Sequence, residues 1–184
     1  MRSYLKLTLF VVTLTLALIL IPQVFAYHLL GGRWPDQKVS YLKNYVYSPS
    51  PVEAEYIYAM QSWNDASTPA YFVRVMYWQG LYVNSVAVYE PEVAWLGMTS
   101  IVPSPYEYPY EYADVKLNLY YVSDFSSEKT QALAAHEYGH VLGLAHELSS
   151  PRVLMYPYLN VFYGIYGVYT PQQDDINGVN DLYS

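Results

Sequence analysis

The chain has 184 residues, of which 53% are hydrophobic and 18% aromatic, with 24 tyrosines and no cysteine. It is too apolar for an intrinsically disordered chain, and its length allows one or two domains. The net charge of -7 argues against a nucleic-acid partner, because phosphate binding needs clustered Lys and Arg. The absence of cysteine excludes disulfides, a thiol nucleophile and thiolate metal ligands.

The first 26 residues have the layout of a secretory signal peptide. Arg2 and Lys6 precede a run of fifteen residues, 7–21, that holds only apolar side chains and threonine, and a small-residue cleavage site ends at Ala26. As a helix this run reaches roughly 22 Å, which is short of the roughly 30 Å hydrocarbon core. We therefore expect cleavage after Ala26 and secretion of one domain, 27–184. The alternative is an uncleaved anchor that tethers the same domain to the outside of the membrane.

The first half of the remaining chain reads as strands around one helix. Residues 38–47 are rich in β-branched and aromatic side chains and predict a strand. Ser50 and Glu53 form a capping-box pattern that opens a helix through about Ala66. Further strands are predicted at 71–78 and 82–89. The apolar stripe of that helix recurs at intervals of four and three residues and consists of Val52, Tyr56, Met60 and Trp63.

The second half is expected to end in two helices. Residues 90–112 are interrupted by four prolines, and the part from 103 onwards predicts a surface loop with polyproline character. Alternation over 114–122 predicts a half-buried strand. A helix capped by Ser126 or Ser127 then runs toward Gly143, and a capping box at 170–173 opens a last helix that buries Ile176, Val179 and Leu182. Strands first and long helices later indicate an α+β layered domain.

Three of the four histidines fall within eleven residues and form the pattern of a metal site. His136 and His140 are four residues apart, so a helix presents both rings on one face, where they can hold a zinc ion at about 2.0–2.1 Å. Glu137 follows His136 directly, so on a helix its side chain lies just beside the histidine face, within reach of a water at the metal. Gly143 can leave the helix with positive φ, after which His146 can return as a third ligand.

Three neutral nitrogens leave a fourth coordination position open, which is typical of a catalytic zinc site rather than a structural one. Two other interpretations of the same residues stay open. The histidines can be unrelated surface residues, or they can bind a metal without catalysis, because spacing alone does not establish turnover.

His136 to His146 resembles the full HExxHxxGxxH signature of the metzincin zinc peptidases. Met155 follows at the position where that group has its Met-containing turn beneath the zinc. The resemblance implies a zincin domain with a twisted mixed β-sheet, an active-site helix, a Met-turn and a C-terminal helix. It also implies one catalytic Zn²⁺ held by the three histidines, Glu137 as general base, and Gly143 and Met155 as structural support of the site.

Three further segments resemble the matrixin branch of this group: 33–35 (Arg-Trp-Pro), 59–63 (Ala-Met-Gln-Ser-Trp) and 173–178 (Gln-Asp-Asp-Ile-Asn-Gly). The chain also departs from that branch. His28 is the one histidine outside the motif, which is too few for the second, structural zinc of vertebrate matrixins. Glu147 follows the third histidine, where astacins have Glu and matrixins usually have Ser. Calcium is possible, but no oxygen-ligand loop of recognisable spacing supports it.

The segment 158–169 resembles in position the wall of the pocket that receives the side chain following the scissile bond. Tyr158, Phe162 and Tyr163 are its candidate pocket residues, and the aromatic content predicts a hydrophobic preference. A second hypothesis concerns the new amino group of Tyr27 after cleavage, which can pair with one of three carboxylates, Asp174, Asp175 or Glu147.

The sequence therefore predicts a secreted, monomeric zinc metalloendopeptidase whose partners are protein or peptide substrates. A membrane partner is expected only if the N-terminal segment stays uncleaved. The rival interpretation from another class is a non-catalytic extracellular protein that uses its many tyrosines as contact surfaces.

Overall fold

The computed structural model describes residues 26–42, 52–76 and 80–184. The predicted signal peptide lies outside the described residues except for Ala26, as do the end of the first predicted strand and the last residues of the strand predicted at 71–78. Among the residues that are described, no helix is both long enough and apolar enough to cross a bilayer.

One five-stranded mixed sheet forms the centre of the fold, in the order β2-β1-β3-β5-β4. β1, β2, β3 and β5 run parallel, and β4 pairs antiparallel with β5 at one edge. This confirms the predicted mixed sheet. The strands are β1 (Lys38–Leu42), β2 (Tyr71–Val75), β3 (Tyr82–Val88), β4 (Gly97–Val102) and β5 (Tyr112–Asn118).

β4 is the strand that the sequence did not predict, because it lies in the proline-interrupted segment 90–112, in which only the part from 103 onwards was assigned, as a loop. It has a weak strand signal of its own: it starts at a glycine, and Ile101 is its one buried residue. β4 pairs with β5 along its whole length, from Gly97 opposite Leu117 to Val102 opposite Tyr112. This pairing, rather than the strand propensity of its own residues, makes the segment a strand.

β5 ends at Asn118, and the prediction that it continues to Val122 is wrong. The side chain of Asn118 accepts a hydrogen bond from the Tyr120 N–H and caps a short helix, α2 (Leu119–Val122). Its amide also donates to the Glu90 carbonyl at 2.7 Å. The buried Asn118 thus ties the end of the strand to the segment that leads into β4.

The long helices are α1 (Glu53–Asp65), α3 (Ser127–Val141) and α5 (Gln173–Tyr183), with a short α4 (Leu159–Phe162) between the last two. α1 packs against α3, and its predicted stripe is buried, with Trp63 fully enclosed. The N-cap position is Val52, without a side-chain cap bond. Ser50 of the predicted capping box lies outside the described residues.

The start of α5 differs from the prediction by two residues. The capping box is formed by Gln172 and Asp175, not by Thr170, because the Asp175 carboxylate accepts the Gln172 N–H at 2.7 Å. As a result Asp175 points into the protein and is 2% exposed. This change matters for the site, since the same carboxylate also holds the backbone around Met155.

Candidate active site

Helix α3 carries the first half of the site and is anchored along its length. Ser126 caps it by accepting the Lys129 N–H, as predicted. Two buried indoles then donate to its backbone carbonyls: Trp63 Nε1 to Ala135 at 2.9 Å and Trp34 Nε1 to Val141 at 2.8 Å. Carbonyls at these two positions of α3 therefore face tryptophans in the core, which keeps the helix from rotating.

The turn after α3 brings the chain back toward the two histidines on the helix. Gly143 has φ +97°, a value that side-chain-bearing residues rarely adopt, and a Cβ there would lie 2.4 Å from Leu182 Cδ2. The segment near the N-terminus fixes the returning chain, because Leu30 N–H donates to the Gly143 carbonyl and Ala145 N–H to the His28 carbonyl. The predicted helix end at Gly143 is confirmed.

The three motif histidines converge on one point. His146 Nε2 lies 3.2 Å from the Nε2 atoms of both His136 and His140, and the three potential ligand atoms all lie within 4.8 Å of one another. Tetrahedral coordination with arms of about 2.0–2.1 Å puts neighbouring ligand atoms about 3.3 Å apart. The spacing of these nitrogens fits a zinc ion, and α3 and its following turn supply all three.

Backbone carbonyls orient two of the rings from behind. His136 Nδ1 donates to the Leu154 carbonyl at 2.7 Å, and His140 Nδ1 donates to the Leu144 carbonyl at 2.8 Å. An imidazole whose Nδ1 carries the proton presents a lone pair on Nε2. Both rings thus face the shared point in the tautomer that binds a metal.

The protonation states also fit a cation. Burial lowers the pKa of His136 well below its usual value, with the neighbouring His140 adding to the effect. Burial likewise lowers the pKa of His140 to about 4 and lowers the pKa of His146. At neutral pH the three rings are therefore neutral, which is the form of imidazole that binds a metal ion.

Glu137 lies beside this cluster, and it is only 5% exposed. Burial raises the pKa of its carboxyl to about 7, while a hydrogen bond from Thr99 acts in the opposite direction. Thr99 Oγ1 lies 2.7 Å from Glu137 Oε2 and 3.0 Å from its backbone carbonyl. Thr99 and Gly97 both belong to β4, and because the sequence did not predict this strand, it did not indicate either residue as part of the site.

Met155 supports α3 from below, close to the ligands. A Cβ added at Gly139, between the first two histidines, would lie 2.2 Å from Met155 Sδ. Asp175 holds the backbone of this turn by accepting the Leu154 N–H at 2.9 Å and the Met155 N–H at 3.1 Å. Burial raises the pKa of Asp175 to about 6, and the three backbone N–H donors partly oppose this shift.

A cleft of about 390 Å³ opens over the histidines and Glu137. Phe162 lines it, with its ring stacked 5.6 Å from His136 at an interplanar angle of 11°. The other two candidate pocket residues lie elsewhere: Tyr158 is 61% exposed, and the Tyr163 hydroxyl donates to Glu128. The apolar walls also include Leu133, Leu159, Leu96 and Met98, which the sequence did not single out.

Leu133 did have a sequence signal. It precedes His136 by three residues, so the helix puts both on one face. Leu159 has no comparable signal, because nothing in its spacing links it to the motif. The cleft is therefore predictable on the helix side and not on the loop side.

The three candidate carboxylates near the N-terminus differ in their partners. Asp174 Oδ1 accepts the Ala26 N–H at 3.1 Å, whereas Asp175 is occupied by the Met155 turn. Glu147 is buried, with the Ser149 N–H on one oxygen and His28 Nε2 at 3.6 Å from the other. His28 itself is exposed.

Comparison with known proteins gives matches over parts of the chain. The family model described as matrixin matches residues 97–184. Human neutrophil collagenase and human matrix metalloproteinase-20 are 49% and 47% identical over 51 residues, which is 28% of this chain and 10% of each relative. Horse interstitial collagenase is 41% identical over 63 residues, 34% of this chain and 12% of that protein. The matched stretch spans about a tenth of the length of these relatives.

The fold likeness extends further than the sequence likeness. A solved structure described as the GM1-bound form of the ECX AB5 holotoxin superimposes with a TM-score of 0.57 over 80% of each chain, at 13% sequence identity. At that identity the likeness concerns the fold alone. Together with the matrixin match over the motif, the turn and the last helix, it accounts for most of the domain. Residues 97–184, which include the three motif histidines, are therefore similar to the matrixins, and over this part the chain is matrixin-like.

Proposed function

We propose that this protein is a secreted zinc endopeptidase that hydrolyses protein or peptide substrates. One observation carries the proposal: the Nε2 atom of His146 lies 3.2 Å from the Nε2 atoms of both His136 and His140, and this cluster lies beside a buried carboxylate on the wall of a cleft. The matrixin match over residues 97–184 supports the same reaction class.

His136, His140 and His146 would hold the ion. When bound, zinc supplies a Lewis acid that activates water and polarises a peptide carbonyl. Glu137 accepts a proton from the attacking water and later donates it to the leaving amine. Its burial and its contact with Thr99 keep the carboxylate next to the cluster without making it a ligand.

The edge of the sheet offers a binding site for an extended peptide. β4 pairs with β5 on one side, and among the described residues no strand pairs with its other side. Gly97, Met98 and Thr99 line the cleft. A substrate in extended conformation can therefore add to this edge as a further strand, with its scissile bond over the histidines.

We further propose that the side chain following the scissile bond is hydrophobic. Leu133, Leu159 and Phe162 provide apolar walls next to His136, and burial of an apolar side chain against them is favourable. Sequencing of cleavage sites in a peptide library tests this preference. A predominance of charged residues after the cut would refute it.

Secretion and processing form a separate part of the proposal. Edman sequencing of the exported protein should find Tyr27 as the first residue. Of the three carboxylates considered for its amino group, we propose Asp174, since this side chain already accepts the backbone N–H of Ala26. Asp174→Asn should then lower activity. Full activity in this variant would show that the ion pair between the Tyr27 amino group and Asp174 has no role in catalysis.

The replacement Glu137→Gln tests the reaction directly. Wild-type protein should cleave casein in a chelator-sensitive manner with one zinc per chain, and the Gln variant should bind zinc and lose cleavage by at least about 100-fold. Cleavage by the variant at the wild-type rate would exclude Glu137 as the base. Zinc binding without any cleavage by the wild type would favour the non-catalytic binding protein.

A further inference from the structure

Two residues of β4 bracket the carboxylate of Glu137. Thr99 contacts it through a hydroxyl, and Gly97 lies against it without a side chain. We propose that Thr99 is a positioning residue that fixes the Glu137 carboxylate and that Gly97 provides the space for it. This inference rests on the proposed function and assigns a role to a strand that the sequence did not predict.

The Thr99 hydroxyl makes two contacts with the same residue. Its Oγ1 lies 2.7 Å from Glu137 Oε2 and 3.0 Å from the Glu137 carbonyl oxygen. A hydroxyl has one proton and two lone pairs, so it can donate to a carboxylate, or accept from a carboxylic acid while donating to the carbonyl. The hydroxyl is close to both the side chain and the backbone of Glu137.

β4 keeps this hydroxyl in place. Thr99 is β-branched, which restricts its χ1, and its backbone lies in register with Val115 of β5. A free glutamate side chain samples several rotamers, and fixing it in one of them costs conformational entropy. A rigid strand supplies this order in advance, whereas a loop would not.

Gly97 acts from the other side of the carboxylate. A Cβ at this position would lie 2.6 Å from Glu137 Oε1, 3.0 Å from its Cγ and 3.1 Å from its Cδ. Separations under 3.0 Å force one of the atoms to move. Any side chain at residue 97 would therefore displace the carboxylate that Thr99 holds by its other oxygen.

Positioning of this kind affects the reaction rather than the metal. The hydrogen bonds described for the Thr99 hydroxyl go to Glu137 and not to the three histidines. A general base must lie within about 2.6–3.2 Å of the proton that it removes, so a mobile carboxylate lowers turnover even when zinc and substrate bind normally.

The test compares Thr99→Val, which keeps the shape and removes the hydroxyl, with Thr99→Ser, which keeps the hydroxyl. Ser100→Ala is a matched control that removes a hydroxyl from the next residue of the same strand. Each full-length protein is loaded with zinc, and zinc content, kcat and KM for one fluorogenic peptide are measured. We expect Thr99→Val to retain one zinc and lower kcat about 10- to 100-fold with KM changed less than about twofold, and the other two to stay within about threefold of wild type.

A second readout does not depend on activity. The ¹³C resonance of the Glu137 side-chain carboxyl, assigned by its loss in Glu137→Gln, should shift in Thr99→Val and stay near its wild-type position in Thr99→Ser. Unchanged kcat and an unchanged resonance in Thr99→Val would overturn the inference, as would equal losses in the Val and Ser variants. If Thr99→Val does not fold, Gly97→Ala takes its place and should likewise retain zinc, lower kcat and shift the resonance; wild-type values in it would overturn the inference.

The two proposals fail in different ways. An inactive wild type would contradict the proposed function, and the resonance would still report whether Thr99 holds Glu137. An active wild type with an unperturbed Thr99→Val variant would contradict the positioning role alone.

Discussion

Met155 lies directly beneath Gly139, so close that a Cβ on the glycine would be 2.2 Å from the methionine sulfur. The contact joins the turn that Asp175 holds to the middle of the helix that carries His136 and His140. Gly139 has no side chain to separate them. The two helix histidines of the candidate metal site are therefore supported by a close packing contact as well as by their hydrogen bonds.

Gly139→Ala tests this contact. The added methyl must displace Met155 or Trp63, whose ring carbon would be 3.2 Å away, and overpacking of this kind costs about 1–3 kcal/mol. Because alanine has a higher helix propensity than glycine, the substitution also stabilises α3 by up to about 1 kcal/mol, so the net loss in the free energy of unfolding should be smaller. Denaturant melts of Gly139→Ala, Met155→Ala and the double variant measure it. The double variant should be more stable than additivity predicts, and strict additivity would show that the two residues do not compete for space.

Gly143→Ala should destabilise the protein more than Gly80→Ala, although both glycines have φ close to +97°. A Cβ at Gly80 meets nothing within 4 Å, so this variant reports the backbone cost alone, about 1–2 kcal/mol. At Gly143 the Cβ also meets Leu182 and the Gly32 carbonyl, which adds about 1–3 kcal/mol. Thermal unfolding of the two variants gives the comparison. Equal losses would mean that the neighbours of Gly143 move aside freely.

The two exposed histidines should differ completely in their effect on zinc. His146→Ala removes one of three ligands and should weaken zinc binding by more than roughly 100-fold, beyond what outer partners contribute. His28→Ala should leave zinc content at one per chain, because His28 faces Glu147 rather than the cluster. Metal analysis after dialysis against a competing chelator measures both. Zinc loss in His28→Ala would place the fourth histidine in the site.

The raised pKa of Asp175 predicts that the stability of the folded protein depends on pH. Burial raises the pKa of its carboxyl from 3.8 to about 6 in the folded chain. The folded state therefore keeps a proton that the unfolded state has released, and the free energy of unfolding falls as pH rises from about 4 to about 6. Relative to Asp175→Asn, which cannot titrate, the wild type should lose up to about 3 kcal/mol over this interval. Asp175→Asn is less stable than the wild type at every pH, because its amide N–H groups face backbone N–H groups. The informative quantity is therefore how the difference in the free energy of unfolding between the two proteins changes with pH. A constant difference from pH 4 to pH 7 would contradict the raised pKa.

The motif made much of the site predictable. The spacing of His136, His140 and His146 predicted that the three side chains lie together, because an i, i+4 pair and a glycine turn have few other geometries. The stripe of α1 and the cap at Ser126 were predicted for similar local reasons. In these cases the residues that define the feature are close together in the chain.

The rest depends on partners that are distant in sequence. β4 exists because β5 pairs with it, and Thr99 reaches Glu137 across 38 residues. The N-cap of α5 is Gln172 rather than the predicted Thr170, because the Asp175 carboxylate also accepts hydrogen bonds from Leu154 and Met155, about 20 residues away. β5 ends at Asn118, earlier than predicted, where the Asn118 side-chain amide donates a hydrogen bond to the Glu90 carbonyl. Local patterns cannot report such long-range hydrogen bonds, and this is where the predictions differed from the structure.

The most direct test of the central claim is the mapping of new N-termini in a denatured protein substrate incubated with the full-length, zinc-loaded protein, with and without 1,10-phenanthroline. A zinc endopeptidase should produce internal cuts that disappear with the chelator and return when zinc is added back. A protein that holds one zinc per chain through His136, His140 and His146 and yet produces no internal cuts would contradict the account.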